Sequence, residues 1–165
     1  MKKTILITGS TDGIGLETAK ILAQQGHTLL IHGRSETKLN NTRQQLSSLG
    51  TSEIETYQAD LADMKAVAQM AEAIASKHSA IDVLINNAGV YTTSSPQTDK
   101  GLDIRFVVNT LAPYLLTKKL SPLMNEKGRV INLSSAAQAS VDLAALRGET
   151  KLDIAHQAYA QRKLA

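Results

Sequence analysis

The 165-residue chain has no cysteine and no tryptophan, and its aromatic residues make up only 3 % of it. Without cysteine there can be no disulfide and no thiolate-bound metal, a composition that fits a reducing, cytoplasmic setting. No stretch approaches the roughly 18 apolar residues a membrane span needs, so association with a bilayer is not expected. Residues 1–7 join a basic flank to a short apolar run, as a secretory signal does. The run breaks at Thr8-Gly9, well short of an h-region, and reads better as a first strand. A net charge of +3 with no clustered basic tract gives no reason to expect nucleic acid as a partner. His27, His32, His78 and His156 have no partners at metal-ligand spacing, so no metal is expected. A Gly-x-Ser-x-Gly elbow is absent around Ser134 and Ser135, which argues against a serine hydrolase.

What is present is the composition of an ordinary globular domain, 42 % apolar and 20 % charged, and the length fits one domain spanning residues 1–165. Short β-branched or leucine-rich runs alternate with segments whose apolar residues fall at helical spacing, which is the pattern of βαβ units. The strand candidates are 4–8, 28–32, 53–57, 82–86 and 129–133, most of them continuous apolar runs suited to burial on both faces. Leu16, Ala19 and Ala23 make one helical stripe and Met64, Val67, Ala71 and Ile74 another. Leu102, Phe106, Pro113 and Leu120 suggest a longer helix, which Pro113 should bend or break. Right-handed crossovers then give an α/β, Rossmann-type doubly wound parallel sheet of order 3-2-1-4-5. Its fifth strand is an unprotected edge, an invitation to self-association.

Thr8-Gly9-Ser10-Thr11-Asp12-Gly13-Ile14-Gly15 falls where the first strand turns into the first helix. Glycines there allow a tight turn, let backbone amides approach a pyrophosphate, and let helix and strand pack closely. The helix N-terminus adds unpaired N–H groups and a positive dipole. No Gly-Lys-Ser/Thr follows, so a nucleoside triphosphate loop is disfavoured. After the second strand come Gly33 and Arg34. A carboxylate there would suit the ribose 2′-hydroxyl of NAD, whereas arginine accommodates the 2′-phosphate, so NADP(H) is favoured over NAD(H).

The spacing Gly-x-x-x-Gly-x-Gly resembles that of the short-chain dehydrogenase/reductase family, and further segments match in the family's order. Asp60-Leu61 follows strand three and Asn86-Asn87-Ala88-Gly89 closes strand four. Asn109 lies in Val107-Val108-Asn109-Thr110, Ser135 follows strand five, and Tyr159-x-x-x-Lys163 comes last. The resemblance implies that Gly9, Ser10, Thr11, Gly13, Ile14, Gly15, Arg34, Asp60, Leu61, Asn87, Ala88 and Gly89 hold the cofactor, together with Tyr159 and Lys163. It implies a carbonyl or alcohol as the small-molecule substrate. Tyr159 would act as acid or base, Ser135 would bind the substrate oxygen, and Asn109 would position a relay water. A free tyrosine titrates near ~10, so Lys163, one helical turn away, would be needed to favour the phenolate.

Two departures stand out. Ser135 and Tyr159 are separated by a long connection, 136–151, which resembles the retinol-dehydrogenase-like branch; 142–147 could form a short helix in it and Asp153 could cap the next. Family members also continue beyond a position equivalent to Ala165, so the resemblance implies a C-terminally truncated fold. A non-catalytic nucleotide-binding or interaction module, or an inactive fragment, is the alternative reading. Self-association through the fifth strand or the long helices fits either.

Overall fold

The computed structural model describes residues 1–50, 53–99, 101–136 and 139–150. Five strands, β1 (Thr4–Ile7), β2 (Thr28–Gly33), β3 (Ile54–Gln58), β4 (Val83–Asn86) and β5 (Arg129–Asn132), form one sheet. Every pairing is parallel and the order is β3-β2-β1-β4-β5. Alternation along the central strands sends side chains into two separate cores. Leu6, Leu30 and Leu84 face one side, where Val67, Met70, Ala71 and Ile74 of α3 (Met64–Lys77) meet Leu116 and Leu120. Ile5, Ile7, Leu29, Ile31, Val83 and Ile85 face the other, against Ala19 and Ala23 of α1 (Gly13–Gln24) and Leu39 and Leu46 of α2 (Glu36–Ser47). The central strands β1, β2 and β4 are therefore covered on both sides, as their continuous apolar runs require.

The strand ends differ from the sequence reading by a residue. β1 stops at Ile7, and Gly9 then turns into the left-handed region, with φ +64°. β4 begins at Val83, although the Asp82 amide already donates to the Thr4 carbonyl and its carbonyl accepts from the Arg129 amide, both at 2.9 Å. The helices start on side-chain caps: Asp12 for α1, Ser35 for α2 and Asp63 for α3 each accept a first-turn amide. In α1 the buried positions are Gly15, Ala19 and Ala23, while the expected Leu16 is half-buried.

The longer helix is indeed interrupted. It begins as one turn, α4 (Ile104–Phe106), widens into a π-helical turn over Val107–Leu111, and resumes as α5 (Ala112–Leu120) with Pro113 in its first turn. Proline has no N–H to donate to the carbonyl four residues earlier, that of Asn109, so the wider turn absorbs the missing bond just upstream. A short helix, α6 (Leu143–Leu146), stands on an Asp142 cap within the long connection, as expected. Among the described residues β5 is the last strand of the sheet and is exposed along its whole length, Val130 and Ile131 being 39 % and 45 % accessible. No helix among the described residues is long and apolar enough to cross a membrane.

Candidate functional site

The loops leaving the carboxyl ends of β1, β2, β3 and β4 surround a cleft of about 740 Å³. A crevice at that end, where the sheet order reverses between β1 and β4, is where open α/β sheets bind ligands. Its floor is the glycine loop. A Cβ on Gly9 would lie 2.9 Å from the Ala88 Cα, and one on Gly15 would collide with the Gly9 carbonyl and the Asn87 amide. Gly13, at φ +52°, faces open space instead. Gly9 and Gly15 thus bring the first and fourth loops together, and Gly13 leaves backbone bare toward the cleft. The first-turn amides of α1 beside it have no carbonyl of their own helix to bond.

Hydrogen bonds between loops brace this floor. The Thr8 hydroxyl, almost fully buried, accepts from the amides of Asn87 (3.0 Å) and Ala88 (3.1 Å). Asn87 in turn donates its Nδ2 to the carbonyls of Thr8 (2.9 Å) and Gly9 (3.0 Å). The Ser10 hydroxyl accepts from the His32 amide at 2.9 Å and is wholly buried. His32 completes the set: its Nδ1 accepts from the Gly9 amide at 3.1 Å and its Nε2 pairs with the Ala59 carbonyl at 3.1 Å. That arrangement requires a neutral ring with the proton on Nε2. Burial agrees, lowering the His32 pKa to about 4. His32 therefore joins the loops after β1 and β3 from the strand between them, a structural histidine as its lack of metal partners suggested.

The residues named from sequence take different places around the cleft. Gly9, Thr11, Gly13, Ile14, Arg34, Asp60, Leu61, Asn87, Ala88 and Gly89 all line the cleft. Ser10 and Gly15 support it from beneath. Asn109 stands behind the wall: its Nδ2 donates to the Val90 carbonyl (3.0 Å) and its Oδ1 accepts from the Val90 amide (2.8 Å), pinning the segment after Gly89. Ser135 is half-buried three residues beyond β5 and is not among the lining residues. Tyr159, Lys163 and the proposed cap Asp153 lie outside the described residues.

Sequence reasoning did not assign Asp12, Ser35, Lys38, Val90 or Val108 to the cleft, which they also line. Asp12 and Ser35 could have been found as helix caps next to the named loops. Gly33 carries a second lesson. A Cβ there would meet the Thr11 methyl at 2.7 Å, so the missing carboxylate after β2 has a steric cause of its own. Charge at the part of the cleft beside β2 and β3 then comes from Arg34, Lys38, Asp12 and Asp60. The Arg34 side chain is exposed, while its carbonyl accepts from Gln58 at 3.0 Å. Asp60 Oδ1 is turned back on the Ala62 amide at 3.0 Å.

A cleft of this volume with a bare glycine turn, helix-terminal amides and the cations Arg34 and Lys38 in its lining fits a dinucleotide, whose diphosphate needs backbone donors rather than lysine. A family model described as short chain dehydrogenase matches residues 3–145. The chain belongs to that family. Among its curated relatives, human retinol dehydrogenase 13 is 32 % identical over 168 residues, covering 99 % of this chain and 51 % of the relative. A metagenomic short-chain oxidoreductase solved in complex with NADP is 30 % identical with a TM-score of 0.74, over 89 % of this chain and 70 % of that one. An uncharacterized protein from Mycobacterium paratuberculosis, also 30 % identical, gives a TM-score of 0.85 over 98 % of this chain and 57 % of its own. The chain thus spans about half the length of the curated relatives it matches.

Proposed function

We propose that the chain is the nucleotide-binding part of an NADP(H)-dependent oxidoreductase that interconverts a carbonyl and an alcohol. The observation that carries this reading is the internally braced glycine cleft with Arg34 at its rim and no carboxylate at the end of β2. The solved relative that holds NADP supports it. Gly9, Thr11, Gly13 and Ile14 would face the diphosphate, Asp60 and Leu61 the adenine, Arg34 the 2′-phosphate, and Asn87, Ala88 and Gly89 the nicotinamide ribose. When bound, the nicotinamide donates or accepts the hydride.

The proton falls to the chain's own residues. Tyr159 would protonate the carbonyl oxygen in reduction, with Lys163 lowering its pKa and holding the ribose, and Ser135 would hydrogen-bond the same oxygen. The Asn109 side chain is committed to Val90, so a relay water at this position would dock on its main-chain carbonyl, which Pro113 cannot use. Isothermal titration of the 165-residue chain with NADPH and with NADH tests the cofactor reading. Binding that favours NADPH, lost or reversed in Arg34→Asp, is the expected result; equal affinity for both would remove the NADP(H) preference. Tyr159→Phe should abolish turnover of carbonyl substrates while sparing NADPH binding.

The exposed β5 favours a second reading, a nucleotide-binding module that assembles through this edge without turnover. NADPH binding by a dimer that reduces no ketone or aldehyde would support it over the first.

A further inference from the structure

Two segments continue from the carboxyl ends of β4 and β5, beyond Asn87, Ala88 and Gly89, and the cofactor assignment uses neither. One leaves β4 past Val90 and returns to α4; the other leaves β5 and carries α6. The first is tied down at both ends. Asn109 holds Val90 by two hydrogen bonds, and at the far end Gln97 bridges to Asp103 while the Ile104 amide donates to the Pro96 carbonyl at 2.9 Å. Asp103 also caps α4, and its two oxygens accept from Nε and Nη2 of the buried Arg105 at 3.0 and 2.7 Å. The Thr98 amide donates to the Leu102 carbonyl at 2.8 Å and the Gly101 amide to the Thr98 carbonyl at 2.9 Å. Residues 97–99 and 101–103 therefore close into a turn of their own.

The second segment leans on that turn. α6 has four residues, too few to stand as an isolated helix, yet its Ala145 is 3 % exposed. Where α6 ends, Gly148 enters the left-handed region at φ +79°, and a Cβ on it would lie 3.3 Å from the Gly101 carbonyl oxygen and 3.6 Å from the Leu102 Cδ2. Gly101 is left-handed too, at φ +77°, but a Cβ on it would meet nothing. The two glycines thus have different tasks. Gly101 makes the turn, and Gly148 lets the end of α6 approach it.

We propose that the turn and α6 form one wall on the substrate side of the cleft, and that Gly148 determines specificity by fixing where this wall stands. This rests on reading the chain as a carbonyl/alcohol oxidoreductase whose nicotinamide lies toward Gly89. Through Val90 the wall is held by Asn109, and through Asp103 and Arg105 by the helix that leads to Asn109. Substrate space and the relay position therefore share one support. A shift of α6 changes the room beside the nicotinamide and leaves the glycine loop untouched, so selectivity responds while cofactor affinity does not.

Amide exchange followed by NMR on the full chain tests the contact from either side. Gly148→Ala strains the end of α6 and directs a methyl at Gly101, whereas Gly101→Ala strains only the turn. If the two segments open together, each variant acts on the other: the Leu102 amide should exchange about tenfold faster in Gly148→Ala, and the Glu149 amide about tenfold faster in Gly101→Ala. Gly26→Ala is equally left-handed, at φ +80°, but lies between α1 and β2 at the opposite end of the sheet with open space around it. It should leave both amides within about twofold. In NADPH oxidation with aldehydes and ketones graded in size from acetaldehyde to propiophenone, Gly148→Ala should shift the kcat/KM ratio about threefold toward the bulkier substrates. Its dissociation constant for NADPH should stay within about twofold. Faster exchange confined to the substituted segment would overturn the single wall. Coupled exchange with an unchanged substrate ratio would overturn the specificity role of Gly148 and leave the oxidoreductase reading standing. An unaltered chain that binds NADPH but reduces none of the series would overturn that reading, and the wall's role in selectivity with it.

Discussion

Removing the Thr8 hydroxyl should cost the protein a sizeable share of its stability, although the change is nearly isosteric. Thr8 is 2 % exposed, and its Oγ1 accepts from two amides, Asn87 at 3.0 Å and Ala88 at 3.1 Å, while directed at the Ile85 carbonyl at 3.4 Å. Thr8→Val fills the same volume but strands the Ala88 amide, while the Asn87 amide keeps only the Ile85 carbonyl at 3.1 Å. An unsatisfied buried donor costs about 1–3 kcal/mol. Ala88 is half-buried, so the lower part of that range applies, about 1–2 kcal/mol. With a urea m-value of about 2 kcal/mol/M the unfolding midpoint should fall by roughly 0.5–1 M with unchanged slope. Thr8→Ser separates hydroxyl from methyl: it keeps the acceptor and loses about 1 kcal/mol of methyl burial. A valine variant as stable as the unaltered chain would refute the claim that the Thr8 hydroxyl joins the loops after β1 and β4.

Three further outcomes follow from the same geometry. Burial holds the His32 pKa at about 4 against 6.5 for an ordinary histidine, so the unfolded chain takes up the proton first. Stability is complete above pH 6.5 and falls as pH drops toward 4, by about 2 kcal/mol between pH 8 and pH 5, and urea midpoints for His32→Gln should show a flatter dependence. Gly15→Ala places a methyl on the Gly9 carbonyl and the Asn87 amide; overpacking of about 1–3 kcal/mol should appear in thermal melts together with loss of NADPH binding. Val130→Lys with Ile131→Lys on the exposed β5 should change unfolding free energy by less than about 0.5 kcal/mol each. In sedimentation the same double variant should suppress self-association through that edge.

The parts of this molecule that repeat a physical rule could be read from its sequence, and those made by contact could not. The strands announced themselves because both their faces are buried, and Leu29, Leu30 and Ile31 in succession have few other uses. The helix α2 had no comparable stripe: its buried positions are Leu39, Thr42 and Leu46, with a threonine standing where an apolar residue would have completed the pattern. Pro113 foretold an irregular helix, but proline chemistry does not say that the irregularity is a π turn lying upstream. In the cleft, the glycines were legible because their conformation is local. The commitment of Asn109 to Val90, the tie from His32 to Gly9 and the closeness of Asp12 to Lys38 each join residues distant in sequence, and only the folded sheet sets them side by side.

The bracing of the cleft by its own loops has a consequence for how such a fold can be reused. Thr8, Ser10, His32 and Asn87 bond to backbone rather than outward to ligand, so the ordering entropy of the glycine loop is settled when the sheet folds. On the proposed reading a dinucleotide would meet a surface already in place, and its docking would not have to organise the loops. A cradle that is self-supporting in this way is indifferent to what lies beyond it in the chain. Different continuations, bringing different substrates, can be joined to the same nucleotide half without retuning its floor.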